Sequence, residues 1–311
     1  MAAKNLMPLL PPGSFLGGNA ATATTLGLVA VAFIAGVVAL ARWAGPRLKD
    51  DPQYRWEPQF TDVTPTPPWI PVEVSRQVFE DGGLKPCDIR DRELTLHVAR
   101  AFSNHPWVES VSRVRKVHPN RLEVELKYRR PVAMVEVTTG GQRGALPVDG
   151  NGVLLPTQGF SETSLDRFLR VSVPETAPAG LPGASWGDPR VQAAAELADF
   201  LRDHWRRLGI YRIHWLADKH AGDFGSDSAL ALEWSSGGVA VWGSPLGKEE
   251  QGELGGEAKL RWLILHWRPG SVAEPDPSRP MPSAGEWIDL RRPPTAPEAT
   301  GPTASPTPTS P

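Results

Sequence analysis

A chain of 311 residues has room for two modest folded modules and their connectors. A formal net charge of −2 gives no electrostatic basis for a nucleic-acid partner, and a single cysteine, Cys87, excludes an internal disulfide and any cysteine cage for a metal. The 33 prolines gather at the ends and in junctions, as expected of ordered modules joined by extended segments, while the 12 tryptophans suit either a filled core or an aromatic contact surface.

Residues 1–24 carry one charged side chain, Lys4, and are expected to be disordered. Residues 25–44 read as a transmembrane helix, because Thr25 to Ala41 holds no charge and a span needs roughly 20 mostly apolar residues. A cleaved signal peptide is the alternative, with Ala39-Leu40-Ala41 as the small-residue site. A buried core helix is disfavoured, since the apolar residues form no stripe opposite a polar face. Taken alone, Arg42, Arg47 and Lys49 would place the C-terminal side in the cytoplasm. Residues 45–68, with Pro46, Pro52, Pro58, Pro65, Pro67 and Pro68, read as an extended linker.

A first module is expected over residues 69–130. Trp69–Val74 reads as an edge strand around Pro71, followed by a short helix from Ser75 to Gly82-Gly83. Asp91 is placed to cap a second helix whose Leu94, Val98, Ala101 and Phe102 share one face. Val108–Val117 is valine-rich and reads as a strand. After a turn at His118–Arg121, Leu122, Val124, Leu126 and Tyr128 alternate with charged residues, the pattern of a half-buried strand. Two helices on one face of a three-stranded sheet would close this module.

A second module, residues 131–292, is mostly strands. These are expected at Val132–Val137, in a hairpin over Leu146–Leu155 turning at Asp149-Gly150 and Asn151-Gly152, at Leu169–Val173, at Ile210–Leu216, and in a hairpin with arms at Leu230–Trp234 and Val239–Trp242. Gly140–Gly144 reads as a loop. One helix starts at Asp188-Pro189 and ends before Gly209, with Val191, Ala194, Ala195, Ala198, Leu201, Trp205 and Leu208 inward. Another covers Glu257–Trp267, with Leu260, Leu263, Ile264 and Trp267 inward. Glu286–Arg291 reads as a last short strand, and residues 293–311 as a disordered Pro/Thr/Ser tail. The fold class is therefore α+β: one N-terminal transmembrane helix, a small β-α-α-β-β module and a mixed β domain with two helices.

No enzyme chemistry emerges. There is no G-x-S-x-G, and Cys87 has no local signature. His214, Asp218, His220 and Asp223 do not have the spacing of a metal site. Gly247–Gly256 is glycine-rich, but Glu249, Glu250 and Glu253 would repel a phosphate, so it reads as a flexible connector. Neither a cofactor nor a metal is expected.

The succession of pieces resembles the bacterial cell-division family FtsQ/DivIB over nearly the whole folded chain. The resemblance rests on the apolar N-terminal stretch and on the run from His105 to Leu126, similar to the end of a polypeptide-transport-associated (POTRA) module. It continues with Arg130-Pro-Val-Ala133, Val148-Asp-Gly-Asn-Gly-Val153, Val239-Ala-Val-Trp-Gly243, Lys259-Leu260 and Ile288-Asp-Leu-Arg291. Membership would imply a non-enzymatic, single-pass inner-membrane protein with a cytoplasmic N terminus and its folded modules outside. Long domains translocate largely regardless of flanking charge, so this orientation takes precedence over the basic residues after the span. It would further imply a place in the division complex beside FtsB and FtsL, with a partner strand added to the last β strand. A POTRA-bearing envelope assembly or secretion factor, or a cleaved envelope-binding protein, are the alternatives.

On that reading Trp287, Ile288, Asp289, Leu290 and Arg291 form the receiving strand, and Arg291 or Arg292 pairs with an acidic partner segment. Arg292 stands where the enterobacterial members of that family commonly carry an aromatic. Arg113, Arg115 and Lys116 form a candidate contact face on the POTRA module, set against the plainer reading of a solvated strand face.

Overall fold

The computed structural model describes residues 20–49, 52–160, 167–217, 228–266, 285 and 287–292. The chain divides into two compact units that interleave in sequence. One takes the residues up to Thr61, with Lys85–Leu94 and Lys116–Leu122. The other takes Asp62–Leu84, Thr95–Arg115 and the residues from Glu123 onward.

The first unit begins with helix α1 (Ala20–Lys49), which starts before and ends after the expected span. Its window Thr25–Arg42 has a mean hydropathy of 2.1 and is exposed throughout. Leu26, Leu28, Phe33 and Ile34 all point away from protein. This is one helix long and apolar enough to cross a membrane, and a signal sequence has the same character.

The expected linker over residues 45–68 is corrected. Arg55–Trp56 (β1) and Thr61–Val63 (β2) are strands, and Pro52–Tyr54 and Pro58–Phe60 are 3-10 turns. β1 pairs antiparallel with Cys87–Asp88 (β3). Trp56 is fully buried and its indole N–H donates to Thr61 Oγ1 at 3.1 Å. Ile89 N–H bonds to Tyr54 O at 2.9 Å, and Tyr54 packs edge-on against His118. Pro52 and Pro58 each open a 3-10 turn, where no ladder donor is required, so they shape turns instead of dissolving the segment.

In the second unit, α2 (Val74–Asp81) and α3 (Leu94–Ser103) meet through Phe79 and Phe102, whose rings stand edge to face at 5.7 Å. β4 (Val108–Val117) and β5 (Arg121–Tyr128) join β2 in a sheet ordered β2-β5-β4. The alternation read in the sequence holds: Leu122, Val124 and Leu126 are buried and the residues between them are not. Trp69–Val74 is not a strand. Ile70 N–H bonds back to Pro67 O in a turn, and Val74 already opens α2. The first strand is β2, prolonged along β5 where Thr64 N–H donates to Val124 O at 3.0 Å.

The remaining elements are β6 (Pro131–Thr139), β7 (Gln142–Asp149), β8 (Leu169–Ser172), α4 (Pro189–Phe200), β9 (Ile210–Ala217), β10 (Ser228–Trp234), β11 (Val239–Gly243), α5 (Gly256–His266) and β12 (Trp287–Asp289). Seven strands form one mixed sheet in the order β12-β11-β10-β9-β8-β6-β7. β8 runs parallel to both β6 and β9, and β12 runs parallel to β11. The core lies between one face of this sheet and the two helices. Val135, Val171, Ile213 and Leu232 meet Ala194, Leu197 and Ala198 of α4 and Leu260 and Leu263 of α5. Trp186, Trp234 and Trp242 are also fully buried, so many of the tryptophans are packing residues.

Two further expectations are corrected locally. Gly140 and Gly141, at φ 58° and 80°, make a tight turn from which β7 departs at Gln142, so there is no longer loop there. The helix opened by Asp188, whose Oδ1 accepts the Arg190 N–H at 2.9 Å, ends at Phe200 and not near Gly209. Beyond Phe200 the chain tightens into turns with i−3 bonds, such as His204 N–H to Leu201 O, which hold Trp205 and Leu208 against the core. Trp267, Glu286 and the tail 293–311 lie outside the described residues.

Candidate functional site

β12 closes one side of the seven-stranded sheet. Trp287, Ile288 and Asp289 lie opposite Val239, Ala240 and Val241, and the ladder continues with Leu290 N–H donating to Val241 O at 2.9 Å. Among the described residues no strand pairs with the other side of β12. The six residues named from the sequence differ in environment. Leu290 is fully buried and Ile288 packs on the core, so these two fix the strand. Trp287 is 39% exposed and Arg292 is exposed. Arg291 is turned inward. Its guanidinium forks onto Asp289, with Nε to Oδ1 at 3.0 Å and Nη2 to Oδ2 at 2.9 Å, and its backbone N–H also donates to Oδ1. The hydrogen bonds that Arg291 donates to the Asp289 carboxylate hold the Arg291 pKa above the usual arginine value.

The loop after β11 is fastened to this edge, against the expectation of a flexible connector. Glu253 lies under it, almost fully buried. Its Oε1 accepts the Ser244 N–H at 2.9 Å and the ammonium of Lys259, and its Oε2 accepts the Glu250 N–H at 3.0 Å. Leu254 N–H donates to Arg291 O at 3.1 Å, joining the loop directly to the end of β12. Glu249 Oε1 accepts from Gly247 and Gly256 and so ties the loop to the first turn of α5.

Lys259, on α5, is fully buried, with its Nζ 5.1 Å from the centre of the Trp242 ring. Burial pushes its ammonium down, and Glu253 offsets only part of that. Burial also opposes ionisation of Glu253, but the bonds from Lys259, Glu250 and Ser244 outweigh it and leave the carboxyl below its usual range. The two groups satisfy each other through the hydrogen bond from Lys259 to Glu253. Gly243 sits at φ 100°, where a Cβ would lie 2.2 Å from Glu253 Oε1 and 2.6 Å from Arg291 Cγ. Only glycine lets the end of β11, the loop and the end of β12 converge this closely.

The second candidate face is engaged internally. Arg113 pairs with Glu125 at 3.5 Å, Arg115 pairs with Glu123, and the Lys116 ammonium donates to the carbonyl of Asp91. The two Arg–Glu contacts are exposed cross-strand pairs, each of small energetic weight. Of the four residues weighed as metal ligands, His214 lies on β9 with its Nε2 2.5 Å from Glu233 Oε2, while Asp218, His220 and Asp223 lie outside the described residues. Among the described residues no three His, Cys, Asp or Glu side chains gather as a metal site.

In the sequence Glu253 reads only as a phosphate-repelling charge in a flexible connector and Lys259 only as a family marker. The available signal was a lysine directly before Leu260, at the start of an inward-facing stripe. Among the described residues the clasp fastens an edge strand whose second side no strand pairs with. No family model matches the chain, and no curated protein matches it significantly in sequence.

Proposed function

We propose that this chain is a non-enzymatic, single-pass envelope protein that binds other proteins, and that it serves in the bacterial division complex as a scaffold of the FtsQ/DivIB kind. The observation that carries the binding role is the side of β12 that no strand pairs with among the described residues. An unpaired strand edge presents N–H and C=O groups to which an extended segment of another chain can add. Leu290, Ile288 and the Glu253 clasp hold that edge firmly, so a partner meets a pre-organised template. FtsB- or FtsL-like chains are the proposed occupants. Arg292 is the cation available to their acidic side chains, while Arg291 secures the strand through Asp289.

The order β2, α2, β3, α3, β4, β5 contains the strand–helix–helix–strand–strand succession of a POTRA module, and we read it as one. On this reading α1 is an uncleaved anchor with its N terminus in the cytoplasm and the folded modules outside the inner membrane. The test is the position of an N-terminally fluorescent copy in dividing cells, combined with binding of a purified FtsB-like segment to the full chain. Enrichment at the constriction and loss of binding on Arg292→Glu support the proposal. An even rim of label sinks the division role. Soluble label replaces the anchor with a cleaved signal.

A further inference from the structure

A cleft far along the sheet from β12 is built from arginine and tryptophan. Its volume is about 380 Å³, and its floor includes Val132 and Phe168. Among the described residues it is lined by four arginines, Arg130, Arg167, Arg202 and Arg206, and one acidic residue, Asp203. In a chain with a net charge of −2 this is a local concentration of positive charge.

Two of the arginines are held in place. The Arg130 guanidinium carbon lies 5.6 Å from the centre of the Trp69 ring, and Trp69 is itself fixed by its indole N–H, which donates to Arg129 O at 3.1 Å. The Arg206 guanidinium carbon lies 5.0 Å from the centre of the Trp205 ring, and its Nη2 donates to Arg167 O at 2.5 Å. A guanidinium placed over an indole keeps its N–H donors in the plane of the group, directed past the ring edge. Such donors match a carboxylate as a fork, and their side-chain entropy is largely spent before a ligand arrives. Arg202 is different: it pairs with Asp199 at 3.1 Å and faces Asp203 at 3.8 Å, so its charge is largely offset and Arg130 and Arg206 carry the site.

We propose that this cleft is a second protein-docking site that takes an acidic, extended peptide segment of a partner, with carboxylates on Arg130 and Arg206 and one apolar side chain on the floor between Trp69 and Trp205. Charge complementarity selects the acid, and the concave shape selects a chain over a membrane surface. Guanidiniums gathered on the walls of a cleft cannot all meet headgroups in one plane. The site is separate from β12 and does not depend on strand addition.

The test uses the full chain in nanodiscs of zwitterionic lipid and a fluorescein-labelled eight-residue peptide of Glu and Ser with one central Phe. Anisotropy should show saturable binding that weakens with added salt, and a peptide with Gln for Glu should not bind. Arg130→Glu with Arg206→Glu changes only exposed side chains and should weaken binding about tenfold or more, with the thermal midpoint unchanged. Arg130→Lys with Arg206→Lys keeps the charge but loses the forks, and should fall between wild type and the reversal variant. Equal binding by the reversal variant, or equal binding of the Gln peptide, overturns the proposal. So does an inert peptide combined with a wild-type-only response of tryptophan fluorescence to nanodiscs containing phosphatidylglycerol, which would make the ligand a lipid.

Discussion

Replacing Lys259 by Met would remove the cation from a pair that solvent does not reach. The Lys259 side chain is 0% exposed and that of Glu253 is 4% exposed, so water cannot screen the loss. Breaking a buried ion pair from one side costs about 3–5 kcal/mol, because the remaining charge is left uncompensated. Glu253 would keep its bonds from the Ser244 and Glu250 N–H groups, which places the expected cost near the lower end, about 3 kcal/mol.

The sign with pH follows from both species. In the wild type the Glu253 carboxyl titrates below its usual range, so its contribution is present above the unfolded value and is lost as the pH falls through the folded one. In Lys259→Met the same buried carboxyl should titrate above its usual range, and its penalty is relieved by protonation as the pH drops. The gap between wild type and variant therefore narrows on acidification from pH 7 to pH 5. Urea unfolding of the detergent-purified chain, followed by tryptophan fluorescence, reads this directly. A cost under about 1 kcal/mol at pH 7, typical of an exposed pair, would refute the reasoning, as would a gap that does not change with pH.

Other outcomes follow from the same contacts. The double variant Lys259→Met with Glu253→Leu should recover part of the loss, measured as a positive coupling in a double-mutant cycle, because no orphan charge remains. Gly243→Ala forces a Cβ against Glu253 and Arg291 at a left-handed φ and should cost about 1–3 kcal/mol, with faster amide exchange of Leu254 and Leu290 as its local signature. Asp188→Ala removes the cap of α4 and should cost about 1 kcal/mol in the same unfolding assay. Bonds from Arg190 hold the Asp188 carboxyl below its usual range, so in the wild type this contribution is lost only as the pH falls below the ordinary aspartate value near 3.9.

The elements that sequence located well are those whose signal is local. β5 alternates, α4 opens with Asp188-Pro189, and the β10–β11 hairpin has its turn at Ser235–Gly238 between apolar arms. Each pattern is dictated by the strand or helix itself, whatever it packs against. The misreadings occur where a distant partner decides. Proline suggested a linker over residues 45–68, yet β1 exists because Cys87–Asp88 lies beside it, and β2 because β5 does. Trp56 gave no local clue that it would be fully buried.

The candidate site divides in the same way. The position of β12 could be read from Ile288-Asp-Leu-Arg291, but not the inward fork of Arg291 onto Asp289, nor the clasp that holds the neighbouring loop. A run of glycine and glutamate before a helix looks solvated, because charged residues usually are. Glu253 becomes a core residue only because α5 brings Lys259 under Trp242 and thereby satisfies its charge where water cannot. Long-range satisfaction of one buried charge thus turns a segment that composition marks as loose into the support of the open edge. On the proposed strand addition, the strength of a partner's strand at β12 should depend on Lys259, whose side chain is fully buried away from that edge, so Lys259→Met should weaken binding of the partner segment.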